Sequence, residues 1–82
     1  MFLHIGSDIS VPLRDIIAIL DLEASNAPPT RDFLGLARNA GHLRPVTDQP
    51  PKSYIITGQE VFLSPISSLT LLKRALKPGT GE

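Results

Sequence analysis

The chain contains no cysteine, which excludes disulfide bonds and thiolate metal sites as sources of stability. Its two histidines, His4 and His42, have no further ligand at a spacing that suits a metal ion, so we predict no metal and no other cofactor. A chain of 82 residues buries only about 60% of its unfolded surface, so its stability margin is thin. With disulfides and metals excluded, we predict that the protein is a homo-oligomer.

The sequence has no apolar run that approaches the length of a membrane span. Residues Met1 to Ile5 lack the basic region and the long apolar core of a signal peptide. The absence of cysteine is compatible with the reducing cytosol. We therefore expect a cytoplasmic protein without a membrane partner.

The sequence also lacks common enzyme motifs, such as a glycine-rich phosphate loop or a nucleophile elbow. His4 lies in an apolar segment, which is typical of a structural histidine. The serines that could act as nucleophiles are better explained by strand termination and helix capping; they are Ser64, Ser67 and Ser68. We predict no catalytic residue, no enzymatic activity and no small-molecule substrate.

The net charge is zero, but the charges are distributed unevenly along the chain. Residues 1–23 carry four acidic residues against Arg14, a balance of −3, whereas residues 24–82 carry seven basic residues against four acidic ones, a balance of +3. Because local potential decides how a protein meets a charged partner, one basic face can bind a polyanion although the total charge is zero. An ordinary mixed-charge surface is the alternative interpretation.

Basic residues concentrate around the first predicted helix and its exit. Such side chains make the phosphate contacts that supply most non-specific DNA affinity, and a surface that contacts only water is the alternative. A second basic cluster in the last helix is explained by the helix dipole and by solubility; it contains Lys73, Arg74 and Lys77. The predicted DNA-binding residues are Arg31, Arg38, Arg44 and Lys52.

A β-hairpin followed by a helix is predicted in the last third of the chain. Residues 53–57 and 61–64 are rich in β-branched and aromatic side chains, and a polar, glycine-containing turn separates them. Pro65 must end the second strand because it cannot continue a central ladder. Ser67 or Ser68 can then cap the helix that follows.

The segment from Arg14 to Leu22 is predicted to be a strand with two apolar faces. With regular alternation, Ile17 and Ile19 point to one face and Ile16 points to the other. A half-solvated strand would alternate apolar with polar residues, so the second face needs cover from another layer or from a neighbouring subunit. The short chain favours the neighbouring subunit. The predicted oligomer interface consists of Ile16, Ile17, Ile19 and Leu20.

The first helix is predicted over residues 31–40. Thr30 is expected as its N-cap and Gly41 as the residue that ends it in a left-handed conformation. An apolar stripe at helical spacing is expected to pack on the sheet. It consists of Phe33, Leu36, Ala37 and Ala40.

These elements predict one α+β domain over residues 1–77 and a disordered tail over residues 78–82. The domain is expected to contain a small, strongly twisted, mainly antiparallel sheet of about five strands, with two helices. Leu43–Val46 is predicted as a short connecting strand, which Pro45 limits to an edge position or an irregular role.

Three segments carry a family resemblance: FLHIG at residues 2–6, RDIIAILD at residues 14–21, and the closing PKSYIITGQEVFLSPISSLTLLKRA. The most specific part is the pattern Lys52-Ser53, Ser64-Pro65-Ile66-Ser67-Ser68, Thr70-Leu71 and Lys73-Arg74. Together they resemble the bacterial extracellular matrix regulatory family, with closer similarity to its RemB-type branch than to RemA. The resemblance implies a small cytoplasmic protein with a fold related to LytTR-type DNA-binding domains. For the RemA branch it also implies rings that activate biofilm matrix genes by binding DNA.

The sequence departs from the RemA branch just before the predicted hairpin. RemA-type proteins carry an arginine-rich segment there that is implicated in DNA contact, whereas this chain has Asp48-Gln49-Pro50-Pro51-Lys52. Fewer phosphate contacts weaken binding and flatten its salt dependence. We expect a regulator of transcription that binds DNA as a homo-oligomeric ring. The alternative is an oligomeric protein-interaction module that does not bind DNA and has a RemA-type paralogue as its partner.

Overall fold

The computed structural model describes residues 1–76 as three packed layers. The six strands are β1 (Phe2–Gly6), β2 (Ile9–Pro12), β3 (Ile16–Asp21), β4 (Leu43–Pro45), β5 (Ser53–Thr57) and β6 (Val61–Ser64). The two α-helices are α1 (Pro28–Asn39) and α2 (Ser68–Leu76), and short 3-10 helices span Leu13–Asp15 and Leu22–Asn26. Within this range no helix combines the length and the apolar character needed to cross a bilayer.

The middle layer is a four-stranded sheet in the order β3-β5-β6-β4, and β1 and β2 form a separate two-stranded sheet. All pairs are antiparallel except β4 with β6, which is parallel. The α+β class with two helices is therefore confirmed, whereas the single sheet of about five strands is replaced by six strands in two sheets. The domain boundary at residue 77 and the tail over residues 78–82 lie outside the described residues and stay predictions.

Each face of the four-stranded sheet buries its own apolar cluster. On one face, Leu34 and Ala37 of α1 pack with Val61 of β6. On the other face, the β1–β2 hairpin and α2 enclose the larger cluster, which consists of Leu3, Ile5, Val11, Val46, Ile55 and Leu71. The alternation of β5 explains this division, because Ile55 belongs to the larger cluster while Tyr54 and Ile56 pack against the smaller one.

The predicted hairpin and the serine junction after it are confirmed, and the serines have structural roles. Ser67 caps α2, since the Thr70 N–H donates to Ser67 Oγ at 3.2 Å. Ser64 is fully buried, and its Oγ donates to the Ile5 carbonyl at 2.7 Å. Ser53, also buried, donates to the Ile66 carbonyl at 2.7 Å. These bonds join β1, the central sheet and the entry to α2.

Two glycines occupy positions that other residues would strain. Gly6 has a φ of +125°, and a Cβ there would lie 3.1 Å from Val46 Cγ1 and 3.2 Å from Pro65 Cδ. Gly41 has a φ of +79° and ends α1 as predicted, with the His42 N–H donating to the Ala37 carbonyl at 2.8 Å.

The prediction for the start and the buried face of α1 was wrong. The helix begins at Pro28 after Ala27, without a side-chain cap, because prolines in the first turn need no hydrogen-bond acceptor and have a helical φ. Thr30 therefore lies inside the helix. The buried face carries Leu34 and Ala37, and most of the predicted stripe is exposed: Phe33 at 44%, Leu36 at 71%, and Ala40.

The prediction for the faces of β3 also needs correction. The strand lies where expected, but its register with β5 shifts between Ile16 and Ala18. This bulge interrupts the alternation, so Ile16 and Ile19 both pack against the larger cluster instead of pointing apart. Ile17 projects into solvent with 70% of its surface exposed.

Candidate nucleic-acid interface

Arg31 and Arg38 lie on one side of α1. Seven residues make almost two helical turns, so these side chains point in nearly the same direction, about 10 Å apart along the axis. Both are exposed, and neither forms an ion pair with any residue in 1–76. Burial of Leu34 and Ala37 against the sheet fixes the rotation of the helix and thus the side on which the arginines stand. The pair can bind adjacent phosphate groups without first breaking an internal contact.

Arg44 is held by an acidic partner. Its Nε donates to Glu60 Oε2, and the two side chains are 65% and 28% exposed. The turn that carries Glu60 is ordered by Thr57, whose Oγ1 accepts the Gln59 and Glu60 N–H groups at 3.3 and 3.0 Å. Arg44 is therefore largely neutralised, and a phosphate must compete with Glu60 for it.

Lys52 stands at the opposite end of the β5–β6 hairpin from the turn. Its N–H donates to the Ser64 carbonyl at 2.7 Å, and its carbonyl accepts the Leu22 N–H at 3.1 Å. The side chain is exposed and makes no ion pair within the described residues. The chain leading into it, from Asp48 to Pro51, adds one acidic residue and no basic one.

The structure thus brings Arg31 and Arg38 together, while Arg44 and Lys52 occupy separate positions on β4 and before β5. Within the described range, no side-chain hydrogen bond joins any two of the four predicted residues, and Arg44 is paired with Glu60. The arrangement gives each subunit two unpaired arginines on α1, a third cation at Lys52, and a fourth at Arg44 that is masked by Glu60.

The second basic cluster has a structural role for one of its members. Arg74 is partly buried, and its Nη1 donates to the His4 carbonyl at 3.2 Å. The His4 ring bonds the Ser7 carbonyl at 2.7 Å, as the structural interpretation of this histidine predicts. Lys73 is exposed, and Lys77 lies outside the described residues.

The four predicted interface residues of β3 have different environments. Ile16 and Ile19 are half-buried beside the larger core cluster, and Ile17 is exposed. Leu20 lines a groove of about 340 Å³ with α1 residues that include Phe33. Sequence reasoning missed the other exposed apolar side chains, because a helical stripe that faces a partner has the same spacing as one that faces the core. They include Leu36, Leu69, Leu72 and Leu76.

The described residues contain no group of three or more histidine, cysteine, aspartate or glutamate side chains that could hold a metal ion. The exposed guanidinium and ammonium groups described above are of the kind that can pair with phosphate oxygens.

Comparison with known proteins identifies the family. Residues 2–75 match the family model described as RemA-like, extracellular matrix regulatory protein A-like. The chain is 39% identical over 75 residues to extracellular matrix regulatory protein B of Bacillus subtilis (strain 168), an alignment that covers 92% of this chain and 90% of that protein. The resemblance found in the sequence is confirmed. The protein belongs to the RemA-like family of extracellular matrix regulatory proteins.

Proposed function

We propose that the protein is a cytoplasmic, non-enzymatic regulator of biofilm-matrix genes that acts as a homo-oligomer and binds DNA through phosphate contacts. The observation that carries the proposal is the exposed pair Arg31 and Arg38, which have no ion-pair partner in residues 1–76 and share one side of α1. Membership in a family whose Bacillus subtilis relative is named a regulatory protein supports it.

The contacts are made to the DNA backbone and not to the bases. Arg31 and Arg38 supply two phosphate contacts from each subunit, Lys52 adds a third, and Arg44 contributes only when it leaves Glu60. A single subunit with so few contacts binds weakly, and assembly multiplies the contacts through effective concentration. Specificity then depends on the shape and deformability of the duplex.

The assembly that we propose is a closed ring of subunits with a LytTR-related fold, as the resemblance implies. Its interface includes the predicted β3 residues Ile16, Ile17, Ile19 and Leu20. The exposure of Ile17 and the apolar groove beside Leu20 support a contact at this strand.

The second candidate is an oligomeric protein-interaction module that does not bind DNA and has a RemA-type paralogue as its partner. Two observations favour it. The Arg44–Glu60 pair removes one predicted phosphate contact, and the exposed Phe33 and Leu36 on α1 suit a protein partner better than a nucleic acid.

Binding of a fluorescent duplex across a salt series separates the two candidates. Because each phosphate contact adds about 0.9 to the slope of log K against log salt, the double variant Arg31→Gln/Arg38→Gln should lower the slope by about 1.8 for every subunit on the duplex. Arg14→Gln is the control, since Arg14 is an exposed arginine outside the proposed surface. No binding at low salt, together with binding of a RemA-type paralogue, would reject the DNA proposal and support the second candidate.

A further inference from the structure

The strand β3 forms one edge of the four-stranded sheet and pairs only with β5. In this ladder Asp21 lies opposite Ser53, and the next residue, Leu22, donates its N–H to the Lys52 carbonyl at 3.1 Å. Backbone groups alternate in direction along an antiparallel strand. The N–H and C=O groups of Leu20 therefore point toward β5, while those of Ile19 and Asp21 point outward. Within residues 1–76 these outward groups bond to no other backbone group.

The edge lacks most of the devices that protect an edge strand from pairing. The strand has six residues, IIAILD, and five of them are apolar. Charged side chains, proline and shortness normally protect an edge, and β3 has a charge only at its last residue, Asp21. The bulge between Ile16 and Ala18 leaves Ala18–Asp21 as a regular stretch that is open to a partner.

Apolar side chains also flank the edge on both faces of the sheet. On one face, Leu20 and Phe33 line the groove beside β3. On the other face, Ser68 Oγ at the start of α2 lies 3.4 Å from Asp21 Oδ1. Leu72, four residues later and thus on the same side of the helix, is 42% exposed. A strand that pairs with this edge therefore gains apolar contacts as well as hydrogen bonds.

We propose that the occupant of this edge is the β3 strand of a second copy of the chain, paired antiparallel about Leu20. In this register the N–H and C=O of Ile19 bond the C=O and N–H of Asp21 in the other copy, and the reverse pair forms by symmetry. The two Leu20 side chains meet on the axis, and the central sheets join into one. The proposal rests on the homo-oligomer of the proposed function and specifies one of its contacts. Because this contact is isologous and closes on two subunits, the proposed ring requires a second, different contact.

Charge favours this antiparallel pairing of identical strands. Asp21 and Glu23 make the carboxyl end of β3 acidic, whereas Arg14 and Asp15 balance each other before its amino end. Parallel pairing in register would place Asp21 directly opposite Asp21 and Glu23 beside Glu23, whereas antiparallel pairing about Leu20 places each Asp21 opposite Ile19 and moves the two Glu23 residues apart. A copy of β3 also matches the open edge group for group, because each strand offers the same outward donors and acceptors.

Asp21→Pro tests the pairing, with Asp21→Ala as the matched control. Asp21 has a φ of −71°, which proline adopts without strain. Both variants lose the carboxylate that accepts the Glu23 N–H, but only the proline variant loses the outward N–H. We expect Asp21→Ala to keep the assembly and Asp21→Pro to weaken the contact by roughly tenfold to a hundredfold, since two of its hydrogen bonds disappear. Sedimentation velocity over a concentration series measures the association constant of each variant.

The outcomes separate this inference from the proposed function. If both variants assemble as the wild type does, β3 pairing is overturned while oligomerisation stands. A wild type that stays monomeric overturns both the β3 pairing and the oligomerisation. DNA binding is tested separately by the salt series. If Asp21→Pro does not fold, Leu20→Glu replaces it, because its carboxylates would face each other across the axis. Leu76→Glu, at an 80% exposed position near the end of α2, is then the control, and equal assembly of these two variants would equally overturn the pairing.

Discussion

The two edge strands of the central sheet, β3 and β4, differ in whether they can pair with another strand. At the β4 edge, the Val61 N–H bonds the His42 carbonyl and the Val46 N–H bonds the Leu63 carbonyl, both at 2.9 Å. Leu43 and Pro45 are therefore the residues that face outward, and Pro45 has no N–H to offer. The strand has only three residues and carries Arg44. The β4 edge is closed by its own sequence, whereas the β3 edge is long, apolar and open.

The β3 edge and the two unpaired arginines of α1 lie on different sides of the molecule. Phe33 shares the groove of Leu20 beside β3, and at about 100° per residue Arg31 and Arg38 lie on the opposite flank of α1. Under the proposed function, a subunit that pairs through β3 would leave Arg31 and Arg38 outside that contact, so the β3 pairing and the phosphate contacts would use different surfaces.

The largest expected effect comes from the residue that supports both edges. Ile55 is fully buried on β5, between β3 and β6. Ile55→Ala should lower the free energy of unfolding by about 2–5 kcal/mol, because it leaves a cavity in the larger cluster. Urea unfolding measures the loss. Leu36→Ala, at a position 71% exposed, should change the unfolding free energy by less than about 0.5 kcal/mol, and similar losses in both variants would contradict the description of the core.

A smaller effect is expected at the buried hydroxyl on β6. Ser64→Ala removes the donor to the Ile5 carbonyl and the acceptor of the Ile66 N–H, and should cost about 1–3 kcal/mol because both bonds are lost at a buried position. Ser68→Ala is the control, since its bond to Asp21 is 3.4 Å long and exposed. Thermal unfolding of both variants tests the difference, and a loss at Ser64 no greater than that at Ser68 would argue against this role.

Opening the closed edge should change how the protein associates. Arg44→Val/Pro45→Val removes the charge and restores an outward N–H on β4, so each subunit would have two edges able to pair. We expect assemblies larger than those of the wild type in light scattering, with Arg14→Val as the control for the loss of an exposed arginine. Assemblies of unchanged size would show that Arg44 and Pro45 do not close this edge.

The smallest effect on stability is expected from releasing Arg44. Glu60→Gln should change the unfolding free energy by no more than about 1 kcal/mol, as is typical of an exposed ion pair. The same variant should bind DNA more tightly and raise the salt slope by about 0.9 per bound subunit, because Arg44 becomes available. Asp48→Asn is the control, since Asp48 is exposed and forms no ion pair within residues 1–76. Equal gains in both variants would indicate a general charge effect and not release of Arg44.

The β5–β6 hairpin and the ends of several elements could be predicted from the sequence because glycine, proline and β-branched residues act locally, whereas the division into two sheets could not. The β5–β6 hairpin, its end at Pro65 and the Gly41 termination of α1 all follow from such local rules. The rotation of α1 could not be predicted from such rules, because Phe33 and Leu36 fit helical spacing as well as Leu34 and Ala37 do.

Features that depend on distant pairing could not be predicted from local patterns. The β3 bulge arises from its pairing with β5, more than thirty positions later in the chain. The Arg44–Glu60 contact spans 16 residues and forms because β4 runs parallel to β6, which starts at the residue after Glu60. The basic residues of the candidate site could be identified from the sequence. The pairing of Arg44 with Glu60 could not.

Residue-resolved amide exchange at low and high protein concentration tests the difference between the edges most directly. The amides of Ile19 and Asp21 point outward on β3, and the amide of Leu43 points outward on β4. We expect exchange of the first two to slow as the concentration rises and the assembly forms, while exchange of Leu43 stays unchanged. Concentration-independent exchange at Ile19 and Asp21 in a protein that does assemble, or equal slowing at Leu43, would contradict the account.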